Sequence, residues 1–214
     1  MLLKNLHIDA LLVHAYWFDN KSKNLLDTHN NLQILAADCL LNEKEIAQLV
    51  ILGGKIDPHK EGLALIMYKE LCKKLTPRLA NKIFVAPNSL TLRQEVKNFR
   101  KLATKNNWQN IASLCVSIQL PRVKRAYKRI FAKTYLHINF ITTEEVLNQY
   151  SYKKKVTKYV NSQAFKYLKI NEILAGTLDS IPVIGGYLID LVTRIFPKKG
   201  VFFSKIFSIK NLLV

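Results

Sequence analysis

The sequence predicts an α/β protein with a mainly parallel, five-stranded sheet. Five short apolar runs, typical of strands, alternate with longer amphipathic segments, typical of helices, between residues 7 and 141. The run at 47–54 is apolar apart from Gln48, as a central parallel strand is when both of its faces are buried. Strands and helices that alternate in this way form right-handed βαβ units, and these units build a parallel sheet.

The elements follow one another along the chain with clear periodicities. The predicted strands are 7–13, 47–54, 82–87, 110–118 and 135–141. The predicted helices are 30–41, 61–75, 89–103 and 121–133. Apolar residues recur at helical spacing in each helix, so one face of each is expected to pack on the sheet. The chain of 214 residues is long enough for one good-sized core, or for one core and a small appendage.

The net charge of +18 is concentrated in two blocks of the sequence. Residues 93–133 contain 11 Lys or Arg and one acidic residue, and residues 151–214 contain 11 and three. Such blocks indicate a phosphate-bearing ligand, an anionic membrane surface or nucleic acid as the partner. The aromatic residues of the helix at 121–133 lie at core spacing, so sequence-specific binding of nucleic acid is not expected.

The three cysteines and the N-terminus both point to a reducing compartment. Cys39, Cys72 and Cys115 are far apart and form no Cys-x-x-Cys or Cys/His cluster, which predicts free, buried thiols and no metal site. Polar residues interrupt the apolar N-terminus, and no cleavage motif follows it. We therefore expect a cytoplasmic protein, with a peripheral position at the inner face of the membrane as a further option.

Polar or glycine residues follow four of the predicted strands. They are His14 after the first strand, Gly53, Gly54 and Lys55 after the second, Asn88 and Ser89 after the third, and Ser117 and Gln119 after the fourth. In a parallel sheet these carboxyl ends meet at one edge, where ligands bind. The sequence therefore predicts a ligand site there, although a tight turn between strand and helix also explains the two glycines.

Two arginines occupy unusual positions in the predicted helices. Arg93 and Arg122 lie in first turns, where the helix dipole is already positive and disfavours them by a few tenths of a kcal/mol, roughly. A bound anion would make both arginines favourable, and the alternatives are that they point into solvent or pair with Glu95. Thr91 or Ser89 is expected to cap the helix at 89–103.

Three groups of residues match an ordered set of motifs. The groups are Gly53, Gly54 and Glu61, then Ser89, Thr91, Glu95 and Asn98, then Ser117, Pro121 and Arg122. Across residues 7–141 these motifs resemble those of the YdcF-like family (SanA/ElyC-like). The family has Gly-Gly before an acidic residue, then a turn rich in Ser, Asn, Thr and Glu, and then the motif Ser/Thr-x-x-His-x-Pro-Arg. Glu61 is also explained by ordinary helix-start electrostatics.

The resemblance implies a Rossmann-like fold with three α/β/α layers. It also implies a site for a small anionic or nucleotide-like ligand, with S-adenosylmethionine or a phosphorylated envelope precursor as candidates. Gln119 stands where the family has histidine, and His14-Ala15-Tyr16 replaces its glycine-rich turn. A glutamine both donates and accepts hydrogen bonds, so the resemblance implies binding at this position and carries over no reaction.

The composition changes after residue 150. We expect residues 1–150 to form the α/β domain and residues 151–214 to form a basic, apolar helical extension without a membrane-spanning run. The extension could cover the sheet or an oligomer contact, or its apolar stripes could dock on an anionic membrane. The alternative function is accordingly a non-catalytic, membrane-peripheral or scaffold protein that uses its basic face.

Overall fold

The computed structural model describes residues 7–15, 29–43, 46–54, 61–181, 187–188 and 191. The strands are β1 Ile8–His14, β2 Ile46–Leu52, β3 Ile83–Ala86, β4 Asn110–Cys115 and β5 His137–Thr142. The helices are α1 His29–Glu43, α2 Leu63–Cys72, α3 Pro77–Ala80, α4 Leu92–Lys105, α5 Leu120–Ile130, α6 Thr143–Gln149, α7 Lys153–Val160 and α8 Gln163–Ser180. A 3₁₀ turn, Ser117–Gln119, precedes α5.

The five strands form one sheet in the order β3-β2-β1-β4-β5, and every pair is parallel. The predicted fold class is therefore confirmed. The chain leaves β1 toward β2 and β3 and then returns to place β4 on the other side of β1. The strand order reverses between β1 and β4, and such a switch point opens a crevice at the carboxyl ends of the two strands.

Helices cover both faces of the sheet, which gives the three layers of a Rossmann-like fold. Leu11 and Val13 of β1 pack in one apolar cluster with α1, α2 and α6. Ala10 and Leu12 point to the opposite face and pack with α4 and α5. This alternation follows from the two-residue period of a strand. His14 has the same parity as Leu12, so its side chain lies under α4 and α5.

Helices α7 and α8 share the core of the sheet domain. Val156, Tyr159 and Leu168 belong to the same buried cluster as Leu11 and α1. The Tyr159 hydroxyl lies 3.2 Å from Nδ1 of His29 in α1. For residues 153–180 this packing favours the alternative in which the C-terminal helices cover the sheet.

Most of the apolar stripes expected after residue 181 lie outside the described residues. Within the described part of the chain, no helix has both the length and the apolar character needed to cross a membrane.

The three cysteines are free thiols, as predicted, but only Cys115 is fully buried, and Cys39 and Cys72 are half-buried. Helix α2 begins at Leu63 with Gly62 as its N-cap, so Glu61 precedes the helix and does not lie in its first turn.

Candidate functional site

His14 joins two other buried side chains at the switch point. Its Nδ1 lies 2.7 Å from Oε2 of Glu95 in α4, and its Nε2 lies 2.9 Å from Oγ of Ser113 in β4. The exposed fractions are 2% for His14, 4% for Glu95 and 0% for Ser113. The ring of Tyr127 in α5 packs edge-on against the imidazole, with 6.4 Å between the ring centroids. Three elements therefore fix the imidazole in one orientation.

Burial decides the protonation of this cluster. Burial, together with the positive charge of Arg122, lowers the pKa of His14 to about 3. Burial also raises the pKa of Glu95 well above its usual value, opposed by the charge of Arg122 and by a hydrogen bond from the backbone of Ala15. At neutral pH the imidazole is therefore neutral, and burial favours the protonated form of the Glu95 carboxyl.

The order serine, histidine and carboxylate is also that of a hydrolase triad. The nucleophile of such a triad must contact the carbonyl of the substrate. Ser113 lies within β4, and its side chain is 0% exposed beneath α5. The cluster therefore positions His14 and supports the strand ends, and Ser113 is not placed to attack a substrate.

The two glycines after β2 allow close packing of the strand ends. A Cβ on Gly53 would lie 2.4 Å from the Cβ of Ala15, and a Cβ on Gly54 would lie 2.8 Å from the carbonyl oxygen of Ser89. Contacts this short do not occur between real atoms, so any larger residue would push the strands apart. The tight-turn alternative explains both glycines, and they bring the ends of β1, β2 and β3 together.

The end of β4 is fixed by a carboxylate from α6. The backbone N–H and the hydroxyl of Ser117 donate to Glu144 at 2.8 and 2.9 Å. Burial raises the pKa of Glu144. Next along the chain, Gln119 is the N-cap of α5 and is 3% exposed. Among the described residues, no group donates a hydrogen bond to its Oε1, and a buried acceptor of this kind needs a donor.

Arg122 has a partner that neither sequence alternative named. Its guanidinium donates from Nε and Nη2 to the two carboxylate oxygens of Glu172 in α8, at 2.8 and 2.7 Å. The side chains of Arg122 and Glu172 are 14% and 3% exposed. The charge of Arg122 acts on the pKa values of His14 and Glu95, so Arg122 lies near them, and its pair with Glu172 anchors α8 to this edge of the sheet.

Other predicted site residues lie apart from the cluster of His14, Glu95 and Ser113. Arg93 stacks on the ring of Tyr187, with Cζ 3.6 Å from the ring centroid. Glu61 pairs with Lys69 on the exposed surface of α2. Lys55 lies outside the described residues.

The helix-start residues near Ser89 have structural partners within the protein. Thr91 is the N-cap of α4, and its hydroxyl accepts a hydrogen bond from the N–H of Gln94. The Asn98 side chain donates to Oγ of Ser89 at 2.9 Å and to Oδ1 of Asn88 at 3.4 Å. Thr91, Asn88 and Ser89 therefore shape the approach to α4 through contacts inside the fold.

Sequence reasoning missed Ser113, Glu144 and Glu172. Ser113 is the polar residue inside an apolar strand, a signal that indicates a buried hydrogen bond. Glu144 is the second residue after β5, and the rule that the ends of parallel strands converge applied there as well. Glu172 lies on α8 and is 50 residues from its partner Arg122, so no local pattern links the two.

No family model matches the chain, and no curated protein or solved structure is similar enough to match it. The resemblance to the YdcF-like family therefore stays a prediction.

Proposed function

We propose that the protein binds a small anionic or nucleotide-like ligand at the carboxyl ends of β1 and β4. The observation that carries this proposal is the buried polar cluster on both sides of the switch point. His14 ends β1, Ser113 lies on β4, and Gln119 follows β4 with an Oε1 that has no donor among the described residues. Doubly wound sheets bind ligands in this crevice.

The two ends of a nucleotide-like ligand suit different parts of this edge. The first turn of α5 lies at the positive end of the helix dipole, which favours a phosphate. The Oε1 of Gln119 needs an N–H or O–H donor, which a base or a ribose supplies. S-adenosylmethionine and a phosphorylated envelope precursor, the candidates that the YdcF-like resemblance implies, also carry such donors.

Binding is favoured over acid–base catalysis at this edge. Both ring nitrogens of His14 already contact Glu95 and Ser113, and burial keeps the imidazole neutral. A general acid or base must be within hydrogen-bond reach of the substrate proton that it transfers. The cluster thus holds the floor of a binding site, and we propose no reaction.

The proposal is tested by thermal unfolding with nucleoside mono-, di- and triphosphates, S-adenosylmethionine and inorganic phosphate. A ligand present at about 100 times its Kd stabilises the folded state by about 2.7 kcal/mol, which raises Tm by roughly 5–10 °C in a chain of this size. In Gln119→Leu, which keeps the volume and removes the hydrogen bonds, the protein should still fold and the ligand-induced rise should fall by more than half.

The matched control is Gln149→Leu, because Gln149 is exposed at the end of α6, away from the strand ends. This control should keep the full response. The proposal fails if no compound raises Tm, or if Gln119→Leu responds as strongly as the unmodified protein.

A further inference from the structure

A second, strongly basic concavity lies on the outer side of the α4–α5 layer. It is a groove of about 850 Å³ between α4 and α5, and Asp179 of α8 and Tyr187 also line it. Six cationic side chains line this basic groove: Arg93, Lys97, Arg100, Lys101, Lys105 and Arg129. Asp179 is the acidic residue in the lining, so the basic groove carries a large excess of positive charge.

The cationic side chains of the basic groove fall into two groups. Arg93 stacks on Tyr187, Arg129 pairs with Asp179 at 3.0 Å, and Arg100 donates to the carbonyl oxygen of Ile130 at the end of α5, so these three have contacts within the fold. Lys97, Lys101 and Lys105 are exposed. Within the described part of the chain, no carboxylate lies within 4 Å of these three lysines. Their charges are therefore available to a ligand.

The three lysines form a regular row along the basic groove. They are four residues apart on α4, and a helix rises 1.5 Å per residue, so successive lysines lie about 6 Å apart along its axis. A row of ammonium groups at this spacing matches a polymer that carries regularly spaced negative charges better than it matches one small anion.

The shape of the basic groove and its aromatic ring favour single-stranded nucleic acid over other polyanions and over an anionic membrane. Proteins that bind single-stranded nucleic acid combine a positively charged groove with aromatic rings on which bases stack. Tyr187 is 59% exposed and supplies such a ring, with Arg93 stacked against it. Docking on a membrane needs a broad apolar face. Among the described lining residues, Tyr187 alone is a large apolar side chain that is exposed, so the basic groove lacks such a face.

We propose that the basic groove binds the phosphate backbone of single-stranded nucleic acid without reading its base sequence. The lysine row contacts successive phosphates, and Tyr187 stacks on a base. This site is separate from the strand-end ligand site and uses different residues. Each phosphate neutralised on a single strand contributes about −0.7 to the slope of log K against log salt, so binding through the row should depend steeply on salt.

The test measures the fluorescence anisotropy of a labelled oligo(dT) of about 20 nucleotides at salt concentrations between about 50 and 200 mM. The groove variant is Lys97→Gln, Lys101→Gln and Lys105→Gln together, which keeps helix propensity and removes three charges. It should weaken binding at least about tenfold and make the salt slope less negative by about 2.

The matched control removes the same charge elsewhere, as Lys153→Gln, Lys154→Gln and Lys158→Gln on the exposed side of α7. The proposal predicts that the control binds within about threefold of the unmodified protein, because net charge alone is not what holds the strand. Equal losses in the two variants, or no binding of oligo(dT) by the unmodified protein at the lowest salt, would overturn it. It is equally overturned if vesicles with phosphatidylserine bind and lose affinity in the groove variant while oligo(dT) does not.

Discussion

Helices α4 and α5 each carry five Lys or Arg residues, but the two helices use this charge differently. The arginines on one face of α5, Arg122, Arg125 and Arg129, pair with Glu172 and Asp179 of α8. The lysine row of α4 points away from the fold and has no carboxylate within 4 Å among the described residues. Within the basic block at 93–133, the arginines of α5 therefore hold α8 against the fold, whereas the lysines of α4 form an open surface.

The contact with α8 also explains the arginine in the first turn of α5. The helix dipole disfavours a cation there by a few tenths of a kcal/mol, roughly. A bidentate, largely buried pair with Glu172 outweighs this cost, because charge-assisted hydrogen bonds of this geometry are the strongest that side chains form. The planar guanidinium fits a carboxylate with two parallel bonds, which a lysine at this position could not reproduce.

The largest effect should come from breaking the buried pair. Glu172→Ala leaves the Arg122 guanidinium buried without this carboxylate and should cost about 3–5 kcal/mol of unfolding free energy. Urea unfolding of the two proteins measures the difference. Glu70→Ala, which removes the partner of the exposed Lys73, is the matched control and should cost less than about 0.5 kcal/mol. Equal costs in the two variants would contradict the internal role of the α5 arginines.

The next largest effect is the loss of stability at acid pH that follows from the burial of His29. Burial lowers the pKa of His29 from 6.5 to about 4, partly offset by Glu172. Below pH 6.5 the unfolded chain binds a proton at His29 that the folded protein does not, so stability is lost as the pH falls from 6.5 toward 4. This loss should reach about 2 kcal/mol between pH 7 and pH 5.

Unfolding free energies at pH 7 and pH 5 test this prediction through His29→Gln. The variant should lose about 2 kcal/mol less than the unmodified protein over that interval. His137→Gln, at an exposed position of β5, should keep the full loss. If the unmodified protein and His29→Gln lose the same stability, burial of a neutral His29 is not the cause of the acid sensitivity.

The smallest change in stability should come from the more exposed ion pairs between α5 and α8. Asp179 pairs with Arg125 and Arg129, whose side chains are 36% and 44% exposed. Asp179→Asn should therefore cost about 1 kcal/mol or less, and the cost should shrink as added salt screens the pair. Urea unfolding at low and high salt gives both values. A cost equal to that of Glu172→Ala would show that exposure does not set the strength of these pairs.

Local sequence signals predicted the fold more fully than they predicted the site. The apolar runs and helix periodicities are local, and they located all five strands and the class of sheet. The strand-end rule located His14 and Gln119 in the same way. The pairing of Arg122 with Glu172 spans 50 residues, and the period of β4 indicates that Ser113 is buried without indicating that it contacts His14. Tertiary contacts between distant elements decide these parts of the site.

We infer that the polar residues at the ends of β1 and β4 form a ligand site distinct from the basic groove. The most direct measurement is an NMR titration of the amide ¹H–¹⁵N shifts with nucleoside monophosphates. We expect saturable shifts of the amide resonances of Ala15, Ser117 and Gln119, while those of Lys97 and Lys101 in the basic groove do not change. Shifts confined to the α4 lysines, or no saturable shift at the strand ends at any concentration, would contradict it.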